Sequence, residues 1–381
     1  MNGDRLGIGV IGCGMMAQSV HLPNIARHPD LELRWCCDPN PAALEQARKA
    51  FHPAHATADA RDVAADENCH LALIAASHGA RRGLVELFAR AGKHIYLEKP
   101  MAESFEELRH LLGVVSQTGA LLTVGHNRRM APAVIEAQRV LAKHRARPVS
   151  PPWRYNRDCV GPADLPGENR TMALLRVNDD FWSWKKWAFA AGALMNEMTH
   201  FADLAGAFMA APPVRVTTTG EKAGNHVITI EYGDSSIATI FATVFGSFGY
   251  PKELVEIYHN GSVIVIDHVC EIRTAGIEGE PFQTAFPIPG GHGEGIEGYY
   301  RAIHAAQEEA IAKGDNSILP QQPDKGHYAL LTDLVGSVRD GRQPVCSAEV
   351  AAVSTAVVLR AAESEALGGV PVAISPEDYS V

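Results

Sequence analysis

Short apolar runs separated by helix-period segments fill the first third of the chain. Residues 6–11 read as a buried strand, and further runs at 31–37, 71–76, 93–97 and 120–124 alternate with amphipathic segments at 41–51, 81–91 and 104–117. Strands that are apolar throughout are buried on both faces, and strict β/α alternation builds a parallel, doubly wound sheet. Ligands of such sheets lie beyond the carboxyl ends of the strands. Three loops fall there: Ala76-Ser77-His78, Glu98-Lys99-Pro100 and Gly125-His126-Asn127-Arg128. Beyond about residue 145 the pattern changes to a long segment marked by proline and tryptophan, a helix, and then strands with period-two alternation. Strands 226–232 and 236–245 bracket the turn Gly233-Asp234-Ser235-Ser236, and His259-Asn260-Gly261-Ser262 carries the Asn-Gly signal of a tight hairpin. The fold class expected is α/β: an N-terminal doubly wound parallel sheet over 1–128, then an α+β domain over 129–381 with a largely antiparallel open sheet. Helices within about 323–365 are candidates to pack back toward the first domain.

The first strand runs into Gly12-Cys13-Gly14-Met15-Met16-Ala17, a G-x-G-x-x-A pattern that opens a helix extending to about His28. Gly12 permits the tight turn, Gly14 lets a pyrophosphate approach the backbone, and Ala17 lets helix and strand pack closely. The helix N-terminus carrying Met15 and Met16 favours negative charge. The second apolar run ends in Asp38, about 20 to 30 residues beyond the glycines, where a dinucleotide fold places the acid that accepts from the ribose hydroxyls. A carboxylate there repels a 2′-phosphate and no arginine follows in the turn, so NAD is expected over NADP. The alternative is that Asp38 caps the helix entered through Pro39-Asn40-Pro41.

Composition narrows the function classes. The chain has 381 residues, 46% of them hydrophobic, which suits two well-packed domains. No apolar run approaches the roughly 20 residues that cross a bilayer, and 6–11 lacks a signal-peptide cleavage pattern, so a cytoplasmic protein without a membrane partner is expected. Seven cysteines at 13, 36, 37, 69, 159, 270 and 346 give neither a disulfide framework nor paired metal spacing. A net charge of -10 without a basic stripe argues against a nucleic-acid partner and leaves a small molecule. Glu197/His200 and Glu107/His110 each show Glu-x-x-His spacing, but a dimetal site needs further carboxylates on facing helices, so no metal is expected. Gly290 to Gly295 lacks the Lys-Ser/Thr of a phosphate loop and reads as a flexible loop bordering the substrate cleft, while nothing local distinguishes His327 from a surface histidine.

The helix at about Gly192–Met209 repeats Asn196, His200 and Asp203 at i, i+4 and i+7, a polar ridge on an otherwise apolar element. Hydride removal from an alcohol needs a group that accepts the hydroxyl proton, and histidine titrates near working pH, so His200 is the candidate base. Lys99, directed away from its strand by Pro100, would stabilise the developing charge on oxygen, and Asn196 can bond a hydroxyl without taking its proton. The bland alternatives are a satisfied core histidine and an exposed strand-end lysine. Tyr155 and Arg157 in one segment, Trp182 and Trp184 in another, together with Arg128 and His200, offer aromatic faces and donors suited to a polyhydroxylated ring; surface loops anchored by tryptophan are the other reading.

These features together (the fingerprint, Asp38, Ala91-Gly92-Lys93-His94 running into Glu98-Lys99-Pro100, Gly125 to Arg129, and the Gly192-to-His200 helix) resemble the glucose-fructose oxidoreductase, inositol dehydrogenase and MocA family over nearly the whole chain. The resemblance implies a Rossmann domain joined to an α/β domain whose open sheet often forms subunit contacts, and hence a homodimer or homotetramer. It implies oxidation or reduction of a sugar or cyclitol hydroxyl with NAD(P), with Lys99 and His200 at the catalytic positions. By the same resemblance Ala76, Ser77, His78, Glu98, Lys99, Pro100 and Asn127 belong with Gly12, Gly14, Met15, Met16, Ala17 and Asp38 in the cofactor site. Two departures mark an atypical branch: Asn196 stands where the family has aspartate, and Ala76-Ser77 replaces Thr-Pro. The expected function is an NAD-dependent oxidoreductase acting on a ring hydroxyl of a sugar, glycoside or cyclitol. The alternatives are a redox-neutral epimerase, lyase or glycosidase working through a transient keto-sugar, and a non-catalytic NAD-binding sensor.

Overall fold

The structure, a computed structural model, describes residues 5–146, 170–179, 192, 194–221, 224–315 and 317–381. Its contacts separate into two compact units: Met1–Asn127 with His327–Leu359 and Pro376–Val381, and Arg128–Gly326 with Arg360–Ser375.

In the first unit, β1 (Leu6–Ile11), β2 (Leu31–Cys37), β3 (His55–Thr57), β4 (Leu71–Ile74), β5 (His94–Leu97) and β6 (Leu122–Val124) form one sheet of order β3-β2-β1-β4-β5-β6. Every pairing in it is parallel. The intervening helices are α1 (Leu22–Ala26), α2 (Pro41–Phe51), α3 (Ala60–Ala65), α4 (His78–Arg90) and α5 (Phe105–Thr118). Their starts follow from capping: Asn40, Asp59 and Ser104 accept backbone N–H groups at the entries to α2, α3 and α5. The sheet order reverses between β1 and β4, which puts the carboxyl ends of these two strands on either side of a topological switch point. Val85, Phe88, Leu108 and Leu111 pack on Ile74, Ile95 and Leu97, joined by Ala348, Ala351, Ala352 and Ala356 from the helix Ala348–Ala366. Each such aliphatic side chain contributes on the order of 1.5 to 3 kcal/mol by leaving water.

Two features of this unit were not in the sequence pattern. The strand β3 and helix α3 are short, and His55 and Ala56 are exposed, so no apolar run marks them. The helix after the glycine loop is not a uniform α-helix to His28: Ala17–His21 forms a π-helical turn before α1 ends at Ala26.

In the second unit, α6 (Pro132–Ala146) precedes β7 (Thr171–Asn178), a π-helical turn Leu194–Met198 leads into α7 (Thr199–Ala207), and seven further strands follow: β8 (Pro213–Glu221), β9 (Asn225–Tyr232), β10 (Ile237–Thr243), β11 (Glu253–His259), β12 (Ser262–Asp267), β13 (Glu271–Ala275) and β14 (Gln283–Ala285). With Val372–Ala373 they make a nine-stranded sheet of order β14-β13-β12-β11-β7-β10-β9-β8 and then the short C-terminal strand. Only β10 and β7 run parallel. The Asn-Gly hairpin is present, with Asn260 and Gly261 at φ 45° and 81° in the left-handed region that such a turn requires. Alternation gives the sheet two different faces. Ala173, Leu175, Ile228, Ile230, Ile240, Val255, Ile257 and Ile264 are buried, whereas Met172, Leu174, Val227, Phe241 and Tyr258 are exposed and, by register, share the other face. Gly290 to Gly295 forms neither a phosphate loop nor a long free loop: Pro287–Ile288 pairs with Gly293–Glu294 around a short 3₁₀ turn. Among the described residues no helix is long and apolar enough to cross a membrane.

Candidate functional site

The glycine loop at the end of β1 meets the geometric demands of its motif. Gly12 sits at φ +90°, and a Cβ there would lie 2.7 Å from the Ala75 backbone, so no other residue fits. Gly14 has nothing within 4 Å of its Cβ direction, which leaves open the cradle that a pyrophosphate would fill. Met15 and Met16 are exposed and Ala17 is fully buried against the sheet. Asp38 accepts from the Cys13 N–H through Oδ2 at 2.7 Å and from the Asn40 N–H through Oδ1 at 2.8 Å. The helix cap of α2 is Asn40, whose Oδ1 accepts from Ala42 and Ala43, so Asp38 braces the glycine loop and is not the cap. Each of its oxygens retains a lone pair for a ribose hydroxyl.

At the end of β4, Ala76 is half-buried, Ser77 is exposed and His78 pairs with Glu103 at 2.8 Å. At the end of β5, Glu98 is buried and accepts from His21 Nε2 at 2.7 Å, while Lys99 is half-buried. Burial alone would raise the Glu98 pKa; the His21 hydrogen bond and the charges of His21, Lys99 and His327 outweigh it and hold the carboxylate at about 2. The peptide Lys99–Pro100 is cis, and Arg81 donates to the carbonyls of Glu98, Lys99 and Pro100. At the end of β6, Gly125 packs on the Glu98 carboxylate, with its Cβ direction 3.3 Å from both oxygens, and His126 and Asn127 are buried. The glycine loop, Asp38 and the ends of β4, β5 and β6 thus occupy one edge of one sheet.

The second unit holds the other candidates. Asn196 lies in the π-helical turn and donates to the Gly192 carbonyl at 3.1 Å; His200, in the first turn of α7, is buried. Arg129 donates to the Asp203 carboxylate at 2.7 Å and to its carbonyl at 3.1 Å. Asn196 falls within the π-helical turn, which alters its spacing to His200 from that of a regular α-helix, whereas His200 and Asp203 lie three residues apart within α7. Arg128 makes a bidentate pair with Glu253 at 2.6 and 2.9 Å, reaches Glu197 at 3.4 Å, and lies over the Phe201 ring at 4.9 Å. Lys252 bridges Glu197 at 2.8 Å and Asp179 at 2.9 Å. Burial would lower the pKa of Lys252, but Glu197 and Asp179 raise it; burial raises that of Glu253, and Arg128 and Lys325 bring it down to about 2. Burial also pulls Lys325, 4.0 Å from Glu253, down to about 8. Glu197 is thus an ion-pair partner, and His110 is bonded to Glu86 at 3.1 Å. Tyr155, Arg157, Trp182 and Trp184 lie outside the described residues.

Sequence reasoning missed Arg81, His21, Lys252 and Glu253. A signal existed for Glu253: it shares the parity of Val255 and Ile257, and a carboxylate on the buried side of a strand requires a cation.

Comparison with known proteins places this geometry. Residues 6–126 match the model of GFO_IDH_MocA, the oxidoreductase family with an NAD-binding Rossmann fold. It is 29% identical over 239 residues to inositol 2-dehydrogenase of Rhizobium meliloti (strain 1021), covering 62% of this chain and 65% of that protein. It is 27% identical over 209 residues to levoglucosan dehydrogenase of Pseudarthrobacter phenanthrenivorans, covering 53% of this chain and 50% of the relative. The matched stretch thus spans less than two thirds of either relative. The fold is shared with scyllo-inositol dehydrogenase from Lactobacillus casei, solved with NAD(H) and scyllo-inositol: TM-score 0.70, 17% identity, 97% of this chain and 99% of that one.

Proposed function

We propose that this chain, whose residues 6–126 match that oxidoreductase family, is an NAD-dependent dehydrogenase of a ring hydroxyl on a cyclitol or sugar. The observation that carries the reading is the edge of the parallel sheet, where an open glycine cradle, Asp38 and the fixed Glu98-Lys99-Pro100 loop stand together. Bound NAD would supply the hydride acceptor. Gly12, Gly14 and the N-terminal turn at Met15 and Met16 would hold its pyrophosphate, and Asp38 its ribose, excluding a 2′-phosphate by charge.

Lys99 would stabilise the alcohol oxygen as its proton leaves, His200 would take that proton, and Asn196 would orient the ring as donor and acceptor. Asn196 in place of aspartate leaves the proton path to His200. The relatives that act on inositol and levoglucosan support a polyhydroxylated ring as substrate. A panel of inositols, hexoses and anhydrosugars assayed for NAD reduction tests the reading: at least one should be oxidised, and none reacting while NAD binds would overturn it.

Met172, Leu174, Val227, Phe241 and Tyr258 form an exposed apolar sheet face suited to a second copy of the chain. Phe241→Glu should then lower the mass measured by light scattering, whereas a wild-type protein that is monomeric at micromolar concentration would exclude this interface. Six described cysteines are free and buried, which suits a reducing cytoplasm.

A further inference from the structure

We propose that Arg81 is a positioning residue for Lys99, a clamp that fixes the loops leaving β4 and β5. The proposal deepens the reading of Lys99 as the cation at the reacting oxygen and rests on it. Arg81 lies in the first turn of α4 and is 8% exposed. Its Nη1 donates to the carbonyls of Glu98 at 2.8 Å, Lys99 at 2.7 Å and Pro100 at 3.2 Å, and its Nε donates to the Ala76 carbonyl at 3.0 Å. Three successive carbonyls turned toward one nitrogen set the peptide planes on both sides of the Lys99 Cα, and with them the direction in which its side chain departs. The Ala76 bond ties that curl to the neighbouring strand end.

The arrangement is specific to arginine. A planar fork presents donors on separate nitrogens in fixed directions, whereas lysine offers a single nitrogen on a flexible stem. The next residue shows what an arginine of the helix surface does instead: Arg82 pairs with Glu106 at 3.2 Å, with both side chains exposed. Arg81 turns inward to backbone carbonyls. From the other side, His21 and the close face of Gly125 hold the Glu98 side chain. Lys99 is therefore attached to a backbone held by Arg81 and follows a side chain held by His21.

The test compares wild type, Arg81→Met, Arg81→Lys and, as control, Arg82→Met. Four quantities are read: kcat and KM on a polyol the wild type oxidises, NAD affinity by titration, the melting midpoint, and the rate at which acetic anhydride acetylates Lys99. The last is measured by peptide mass spectrometry in NAD-free protein, relative to exposed Lys49. A displacement of about 1 Å at a reacting group costs on the order of 10²-fold in rate. Arg81→Met should lose about that in kcat, keep NAD affinity, and change the relative acetylation of Lys99 several-fold. Arg81→Lys should recover part of both, and Arg82→Met should match wild type. Wild-type kcat and acetylation in Arg81→Met, or a lowered melting midpoint with neither changed, overturns the clamp; if that variant does not fold, wild-type values in Arg81→Lys do the same. Should the wild type oxidise no polyol while Lys99 acetylation still responds to Arg81, the functional reading fails and the clamp stands.

Discussion

The two units hold their candidate residues by different physics. In the first, the backbone around Lys99 is fixed by a guanidinium donating to neutral carbonyls, with the Glu98–His21 pair alongside. In the second, the helix bearing His200 is anchored by alternating buried charges: Arg129 to Asp203, Lys252 to Glu197, and Arg128 to Glu197 and Glu253. Carbonyls do not titrate, so the first anchoring is largely indifferent to pH. An ion network is satisfied only while every member keeps its charge, and removing one member leaves the others buried and uncompensated. Precision at Lys99 therefore depends on one side chain's shape, and precision at His200 on a charge balance.

The largest expected effect is on chemistry. His200→Ala should lower turnover by about 10² to 10⁴ and remove the acidic limb of the rate profile, as loss of a general base does. Asn196→Asp, by placing a carboxylate beside His200, should move that limb to higher pH. A rate profile that responds to neither change would mean the proton leaves elsewhere.

Next comes the ion network. Glu253→Ala should destabilise the protein by about 3 to 5 kcal/mol, because Arg128 loses its bidentate partner in the interior. The wild-type carboxylate, raised by burial but lowered further by Arg128 and Lys325, stands at about 2 against an ordinary 4.5. A depressed carboxylate contributes stability that is complete above the ordinary value and lost as pH falls through the folded value. Denaturant titrations should show stability falling between pH of about 4.5 and about 2, with a shallower fall in Glu253→Ala; equal slopes would refute the coupling.

Lys99→Ala should cost about 10² in turnover while NAD stays bound, since a developing negative charge loses its partner. A variant that merely melts earlier would assign the lysine to the fold. The smallest effect concerns the ribose: NAD should bind at least about tenfold tighter than NADP, a difference of about 1.4 kcal/mol, and Asp38→Ser should narrow the gap. Because Asp38 also braces Cys13, the variant should weaken NAD itself somewhat; equal binding of both nucleotides by the wild type would leave the carboxylate with only that bracing role.

Much of the first unit was legible because buried parallel strands are written as apolar runs and the glycine loop has steric demands only glycine meets. The strand His55–Thr57 was not, being three residues long and largely exposed. The π-helical turns at Ala17–His21 and Leu194–Met198 were not, since each shifts helical periodicity by a residue. The second turn lies at Asn196 and so alters its spacing to His200, while Asp203 keeps its three-residue spacing to His200 within α7. Asp38 was legible as a carboxylate at the right place, but its bond to the Cys13 N–H is tertiary, set by how β1 and β2 align. Arg81 and Lys252 act on groups distant in sequence, and a local pattern cannot say which carbonyls or carboxylates will meet them.

The central claim is hydride transfer between a polyol ring carbon and NAD, and following the hydrogen itself tests it most directly. Inositols, hexoses and anhydrosugars deuterated on their ring carbons would each be mixed with protein and NAD, and the nicotinamide recovered for mass spectrometry. The account predicts deuterium on the reduced nicotinamide with at least one ring, with the transfer largely lost in Lys99→Ala and His200→Ala. Deuterium in bound nicotinamide without net NADH release would keep the hydride step and favour a redox-neutral overall reaction. Binding of NAD with no transfer from any of these rings would contradict the account.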